Sequence, residues 1–328
     1  MRPPTPGELA ERLAALPILI EGHSVETGSV AIEGYYRSQP RPTGEVSLIG
    51  GGHVGRGENV DWTSEDQALF AALCDGLVPR IGSHGRAAVG ELSSSLLESG
   101  ARPHHRAAIE AAAIELALRQ TSTDLFHLAD RPPRQVRHCW SIGREAVDRD
   151  GTLTAVERLL ESEPEARIKI DCLPAGWPEP TWRALAAKGR IVVVDFKREG
   201  SAGQVALAHR HLPEAWLEDP PAAAIEGSDR TGLPPSWLAR VALDGYVHAV
   251  VDLDDPPIRP AAVNVKAPRV GGPLEALRCL DRCEDQGWHA YLGGMFEVGV
   301  GRRQARDLAS LFTPDAWNDL APLARRDQ

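Results

Sequence analysis

From about residue 134 the chain alternates short apolar runs with amphipathic helical runs for most of its remaining length. RQVRHCWSIG, ARIKID, RIVVVDF, AWLED, part of the SWLARVALD region, PAAVNVK and HAYLGG read as strands. DGTLTAVERLLES, EPTWRALAAKG, SAGQVALAHRHL, PLEALRCLDRCEDQG and VGRRQARDLASLF read as helices. Hydrophobic strands separated by helices require a parallel sheet covered by those helices. About seven such units in so short a stretch favour a closed β/α barrel over an open sheet.

The first hundred residues are irregular and β-leaning. VAIEGYY and GEVSLIG read as strands with a QPRPTG turn between them, and GGGHVGRGENVDWT reads as a glycine-rich loop. Gly50, Gly52 and Gly55 have the spacing of a dinucleotide fingerprint. No helix opens after Gly55 and no GK[ST] follows, so a turn in a small α+β domain is the better reading. Helices are expected at TSEDQALFAALCDGL, with Thr63 and Asp66 as a cap, and at HHRAAIEAAAIELALRQ. Adjacent His104 and His105 read as exposed cap residues, because neighbours on a helix do not face one site. EGHSVETG, Glu21 to Gly28, is a candidate for a loop closing over substrate.

Charge and cysteines bound the setting. With 36 basic against 46 acidic residues the formal net charge is -10, which argues against nucleic acid as a partner. No apolar run approaches the roughly 18 residues of a membrane span. Glu8 and Glu11 break the basic-then-apolar order of a signal peptide. The five cysteines, at 74, 139, 172, 279 and 283, are odd in number and scattered, so a reducing cytoplasm is expected. Cys279 and Cys283 read as buried small hydrophobes.

Barrels place their chemistry at the C-terminal ends of the strands. Here those ends are charged: Lys169 in RIKID, Asp195 closing IVVVD, Glu218 in AWLED, Asp244 closing RVALD, Lys266 closing AVNVK, and Glu297 after HAYLGGMF. Each alone marks where a sheet meets water. As an ordered set, Asp195, Glu218 and Asp244 would converge on one mouth as an oxygen cluster suited to a hard cation such as Mg²⁺. Lys169 and Lys266 would face each other across it. A cation bound to a substrate carboxylate stabilises the charge that develops when an α-proton leaves, and a lysine beside it can act as the base.

These residues resemble the enolase superfamily, in its muconate-lactonizing-enzyme branch. The handling of Lys or His bases with Mg²⁺ is a known property of that superfamily. The likeness runs from GRGENVDWT to GGMFEVGVGR and is densest at VNVKAPRVGG and GGMFEVGVGRRQARDLASL, which look most like o-succinylbenzoate synthases and N-succinylamino acid racemases. The resemblance implies a (β/α)7β TIM-like barrel over residues 131–304 beneath an α+β capping domain, residues 1–130, with the tail 305–328 packing on the cap. It implies Asp195, Glu218 and Asp244 as metal ligands, Lys169 and Lys266 as catalytic residues, and Arg167, Asn264 and Glu297 as substrate-binding residues. The second-strand Lys-x-Lys motif fits in two registers, Arg167-Ile-Lys169 or Lys169-Ile-Asp171. The first is preferred because it keeps 26 positions between Lys169 and Asp195.

Three residues depart from the family pattern. Lys197 stands where Asn is common, Gly245 where an acid is usual, and Arg167 in place of lysine. Lys197 is expected at the surface; pointing inward, it would repel the metal or stand in for it. The implied activity is Mg²⁺-dependent abstraction of a proton α to a carboxylate, with dehydration to an o-succinylbenzoate-like product first and N-acylamino acid racemisation or dipeptide epimerisation next. An inactive relic serving as a binding or structural protein is the reading from another class. A Schiff-base aldolase built on Lys266 ranks last, since it leaves three carboxylates unexplained. A small carboxylate is the expected substrate, and a homo-oligomer is allowed because barrels of this kind often associate.

Overall fold

The structure is a computed structural model and describes residues 2–30, 40–82, 86–144, 151–226 and 233–320. The chain opens with a helix, Pro6–Ala14, and its N-terminal part then builds a two-stranded pair and a three-stranded antiparallel sheet. The pair joins β1 (Pro17–Leu19) to β5 (Arg86–Ala88), and the sheet runs β2 (Gly22–Val30), β3 (Arg41–Gly50), β4 (His53–Asn59) in that order. The GEVSLIG strand is therefore present but longer than its pattern, and it absorbs Pro42 and Thr43 of the expected turn. EGHSVETG lies mostly within strand β2, paired along β3, and is not a loop. VAIEGYY falls almost entirely outside the described residues.

The glycine-rich stretch is strand β4, which corrects its reading as a loop. Only Gly51 and Gly52 turn, with φ of +56° and +76° that glycine adopts freely. Gly55 and Gly57 serve packing. A Cβ at Gly55 would lie 2.2 Å from Ala112 O, and one at Gly57 would lie 1.9 Å from Ala108 O. Bare glycine backbone meets the alanine face of helix Pro103–Gln120, so strand and helix approach more closely than any side chain allows. Gly57→Ala is expected to cost about 2–3 kcal/mol through overpacking against a backbone that cannot yield. Urea unfolding measures it, and an unchanged midpoint would refute the close-packing account.

The two helices expected in this region form as Ser64–Gly82 and Pro103–Gln120, and Asp66 N donates to Thr63 Oγ1 at 3.0 Å. The paired histidines do share one site. His104 Nε2 and His105 Nε2 lie 2.7 and 2.6 Å from the two oxygens of buried Asp61. Both sit in the first turn, where side chains fan around the helix end and a carboxylate below it reaches two of them. Burial alone would raise the Asp61 pKa, but hydrogen bonds from Asn59 and His105 hold it below its ordinary value.

Seven parallel strands follow: β6 (Trp140–Ile142), β7 (Ile168–Asp171), β8 (Ile191–Asp195), β9 (Trp216–Glu218), β10 (Val241–Leu243), β11 (Ala262–Val265) and β12 (His289–Leu292). They pair in strict chain order. The ring closes through the tail: Asn318 bridges His138 beside β6, and Asp319 bridges Gly293 beside β12, both in parallel. The expected barrel with a separate antiparallel cap is thus borne out as the fold class. Helix Val300–Phe312 packs on β4, β12 and helix Pro103–Gln120 before the chain turns back to make this closure. The strand expected within SWLARVALD is β10, Val241–Leu243, and Pro235–Arg240 before it is a 3₁₀ turn.

Strand alternation explains the core. Val263 and Val265 point outward to the helices and join the main apolar cluster. Ala242, Ala262 and Tyr291 point inward and pack together inside the barrel. Above them the inward positions turn polar, which places the site. All five cysteines are buried free thiols. Among the described residues no helix is long and apolar enough to cross a membrane.

Candidate metal centre at the barrel mouth

Two small inward residues, Ala242 and Ala262, stop below the mouth; the next inward positions on their strands carry Asp244 and Asn264, and Glu218 stands beside Ala242 on β9. Adjacent strands β8, β9 and β10 end in Asp195, Glu218 and Asp244, each buried, and one oxygen from each lies within 4.8 Å of the others. The strands flanking this trio, β7 and β11, carry Lys169 and Lys266. The order across the sheet is therefore lysine, three carboxylates, lysine.

Lys169 is almost wholly buried. Its Nζ donates to Glu218 Oε1 and lies 3.1 Å from Asp195 Oδ2 and 3.3 Å from Asp319 Oδ2. Burial alone would drive an ammonium to the neutral form, but Glu218, Asp195 and Asp319 together hold its pKa well above the ordinary lysine value. Lys266 Nζ donates to Asp244 Oδ2 at 2.9 Å, and Arg269 engages the other oxygen. Gly293 makes room for this lysine: a Cβ there would fall 2.4 Å from Asn264 Oδ1 and 2.6 Å from Lys266 Cε.

Burial opposes ionisation of Asp195, yet Lys169 and Lys197 hold its pKa well below the usual carboxylate range. Glu218 is pushed the other way, by burial and by the neighbouring Asp195 and Asp244 charges, against the pull of Lys169. Three buried carboxylates that repel one another and converge their oxygens fit a hard multivalent cation. Asn264 Oδ1 is buried without a hydrogen-bond partner, while its Nδ2 lies 3.3 Å from Glu218 Oε2.

Of the three residues expected to bind substrate, none lines the mouth. Arg167 precedes β7, at the opposite end of the barrel; its guanidinium donates to Gly189 O and stacks 5.5 Å over Trp317. Two residues along a strand span a full pleat, about 7 Å, so the residue below Lys169 belongs to the barrel floor. Asn264 is spent on the carboxylate tier, where its Nδ2 donates to Glu218 Oε2. Glu297 is buried behind its own loop, where it accepts Met295 N–H at 3.0 Å. Asp171, which the rejected register would make the second motif residue, lines the mouth beside Lys169.

Lys197, expected at the surface, points inward. Its Nζ lies 2.5 Å from Asp195 Oδ2 and 3.2 Å from Asp171 Oδ1. A left-handed backbone, φ +54°, folds its side chain back over the strand end. Gly245 is explained by Asp219, whose carboxylate accepts the Asp244 and Gly245 N–H groups at 2.8 and 2.7 Å. Burial and the nearby Asp244 and Asp195 charges push the Asp219 pKa up to about 6. A Cβ at 245 would fall 2.8 Å from its oxygen.

The mouth is a cavity of about 300 Å³ whose lining includes Trp62, Lys197, Arg198, Asp219, Phe296 and Arg302. Four of its residues, Lys197, Arg198, Asp219 and Phe296, are non-glycine and left-handed, a concentration of local strain expected at functional sites. The N-terminal sheet region supplies its roof. Trp62 packs edge-on to Phe296 at 5.1 Å, and buried Arg41 stacks on Trp62 while bonding Val60 O and Met295 O. Glu58 accepts N–H groups from Val298, Gly299 and Gly301, tying β4 to the loop after β12. Sequence reading missed Asp319, Asp219, Arg41 and Glu58. Asp319 belongs to a two-residue bridge with no strand pattern; Glu58 lay in the stretch read as a loop.

Known proteins give the same picture. The N-terminal domain model of the family described as Domain of unknown function (DUF8230) matches residues 11–128, and its C-terminal domain model matches 133–327. An o-succinylbenzoate synthase of Geobacillus kaustophilus is 26% identical over 261 residues, 74% of this chain and 66% of that protein. An N-succinylamino acid racemase of Thermus thermophilus is 28% identical over 230 residues, 67% of this chain and 60% of that protein. The chain thus spans just under two thirds of the length of these curated relatives. Among solved structures, an enolase-superfamily member from Enterococcus faecalis aligns with a TM-score of 0.73 at 22% identity, covering 93% of this chain and 86% of the other. Muconate lactonizing enzyme from Pseudomonas putida aligns at 0.71 and 16% identity, covering 95% and 90%. The resemblance read from VNVKAPRVGG and GGMFEVGVGR is borne out at the level of fold, and with both family models matched, the chain belongs to the DUF8230 family and carries the enolase-superfamily fold.

Proposed function

We propose that this chain is an enzyme that removes a proton α to a substrate carboxylate, with Mg²⁺ held by Asp195, Glu218 and Asp244, and proceeds through an enediolate to a β-elimination of water like that of an o-succinylbenzoate synthase. The observation that carries the proposal is the order of strand ends: one buried lysine on each side of three buried, converging carboxylates. In this reading residues 1–130 form the cap, which roofs the mouth through Trp62, and 131–304 form the barrel, whose ring Asn318 and Asp319 of the tail close. Asp195, Glu218 and Asp244 would hold the divalent cation, which would offset the carboxylate charge around Lys169 and supply electrostatic stabilisation for negative charge developing on the substrate carboxylate.

Lys169 then takes the α-proton and returns it to the departing hydroxyl, so that one residue serves as base and general acid. Lys266, whose Nζ donates to Asp244, stabilises the enediolate from the opposite side. The roof of Trp62 and Phe296 excludes water from the reacting face. Arg41 and Glu58 hold that roof in place. Because lysines flank the site on both sides, racemisation of an N-acylated amino acid, with each lysine serving one face, is the second reading.

The test is α-proton exchange in D₂O across succinyl-amino acids, dipeptides and the cyclohexadiene precursor of o-succinylbenzoate, with and without Mg²⁺. Exchange should vanish with EDTA and return with Mg²⁺. In parallel, Asp195→Ala should weaken divalent-ion binding by a factor of about 10 or more, as expected when one of three charged ligands is lost. Metal-independent exchange, or unchanged ion binding in Asp195→Ala, would remove the proposed centre.

A further inference from the structure

Lys197 is the side chain that the proposed chemistry leaves unused, although it reaches the centre of the site. Its backbone N–H donates to Asp195 Oδ1 at 2.9 Å, and its Nζ lies 2.5 Å from Oδ2 of the same carboxylate. Residue 197 therefore engages both oxygens of Asp195. Lys169 Nζ is also 3.1 Å from Oδ2. An oxygen that coordinates a divalent ion does so at about 2.1 Å. It cannot at the same time hold an ammonium at 2.5 Å on that side, and the two positive charges repel.

A second acceptor stands ready. Asp171 Oδ1 is 3.2 Å from Lys197 Nζ, and Lys197 is its only ion-pair partner among the described residues. The Lys197 side chain is 38% exposed, so it can swing without unpacking the core. Its backbone is held by the left-handed turn, in which Arg198 N–H donates to Asp219 O at 2.8 Å. The side chain is thus a cation on a short tether with two carboxylates in reach.

Resting on the metal site proposed above, we infer that Lys197 is a tethered competitor of the divalent ion for Asp195, and that Asp171 is the berth to which its ammonium moves when the ion binds. It sets the affinity of the centre downward and keeps Asp195 paired whenever the ion is absent. The ammonium stays paired in both states, because the move exchanges one carboxylate for another.

The experiment is Mn²⁺ titration of the full chain by calorimetry for wild type, Lys197→Met, Asp171→Asn, the double variant and Asp195→Asn, with thermal unfolding of each to confirm folding. Lys197→Gln replaces Lys197→Met should the latter fail to fold. Lys197→Met should bind Mn²⁺ about tenfold more tightly. Asp171→Asn should weaken binding in the wild-type background and do so about threefold less in the Lys197→Met background, a coupling that loss of a general negative charge does not produce. Unchanged affinity in Lys197→Met, with binding weakened in Asp195→Asn, overturns the competitor while leaving the metal centre intact. Equal effects of Asp171→Asn in both backgrounds overturn the berth. Mn²⁺ affinity that is unchanged in Asp195→Asn overturns the metal centre and the inference with it.

Discussion

Lys169→Ala will lose α-proton exchange and, separately, much of the stability of the metal-free protein. The catalytic loss follows from removing the base, worth about 10²–10⁴ in rate. The stability loss follows from burial. Lys169 is the cation that Asp195, Glu218 and Asp319 share, and all three are buried or nearly so. Asp195 keeps Lys197, but Glu218 and Asp319 lose their ion-pair partner; removing one partner of a buried ion pair costs about 3–5 kcal/mol, because the charge left behind has neither water nor a counter-ion. Mg²⁺ should restore part of that stability in the variant, since it neutralises the same carboxylates. Chemical denaturation with and without Mg²⁺, run beside the exchange assay, reads both effects. A variant as stable as wild type without metal would show that the carboxylates are not ionised around this lysine.

The second large effect is expected at Lys266, and its form separates the two proposed reactions. Asp244 keeps Arg269 when Lys266 is removed, so the stability cost should be well below that of Lys169→Ala. In a dehydration, Lys266→Ala removes electrostatic stabilisation of the enediolate and lowers turnover by about 10²–10³, and Lys266→Arg recovers part of it. In a racemase the same variant removes the base for one face only. It would then exchange the α-proton of one enantiomer and leave the other untouched. Exchange measured by NMR on each enantiomer of an N-succinylamino acid distinguishes the outcomes. Undiminished reaction with every substrate would take Lys266 out of the mechanism.

Much of this site was legible because its determinants are local. A β-branched run of four or five residues that ends in a charge, as in IVVVD or AVNVK, states both that the strand is buried and where it emerges. The parallel alternation then fixes which end of the barrel carries those charges. Arg167 misled for the same reason it was noticed: it shares the parity of Lys169 but precedes β7, one pleat too low. Lys197 was misjudged because a strand pattern says nothing about the turn after it, and the left-handed backbone there reverses the side chain. The histidine pair was misjudged because helix periodicity does not govern the first turn. The strand at Gly55 and Gly57 was hidden because its partner, an alanine face, is distant in sequence.

By itself the sequence determined the alternating β/α architecture, the carboxylates and lysines at the strand ends, and the order in which those strands present them. These follow from side-chain period and strand length, which neighbours along the chain dictate. Only the tertiary structure decided that Asn318 and Asp319 close the ring, that Asp219 occupies the space left by Gly245, that Trp62 and Arg41 roof the mouth, and that Lys197 reaches Asp195. The first three depend on contacts between strand ends or between the N-terminal sheet and the barrel, and the last on the left-handed turn after β8. Such contacts exist once the chain has folded and leave no periodic trace in it.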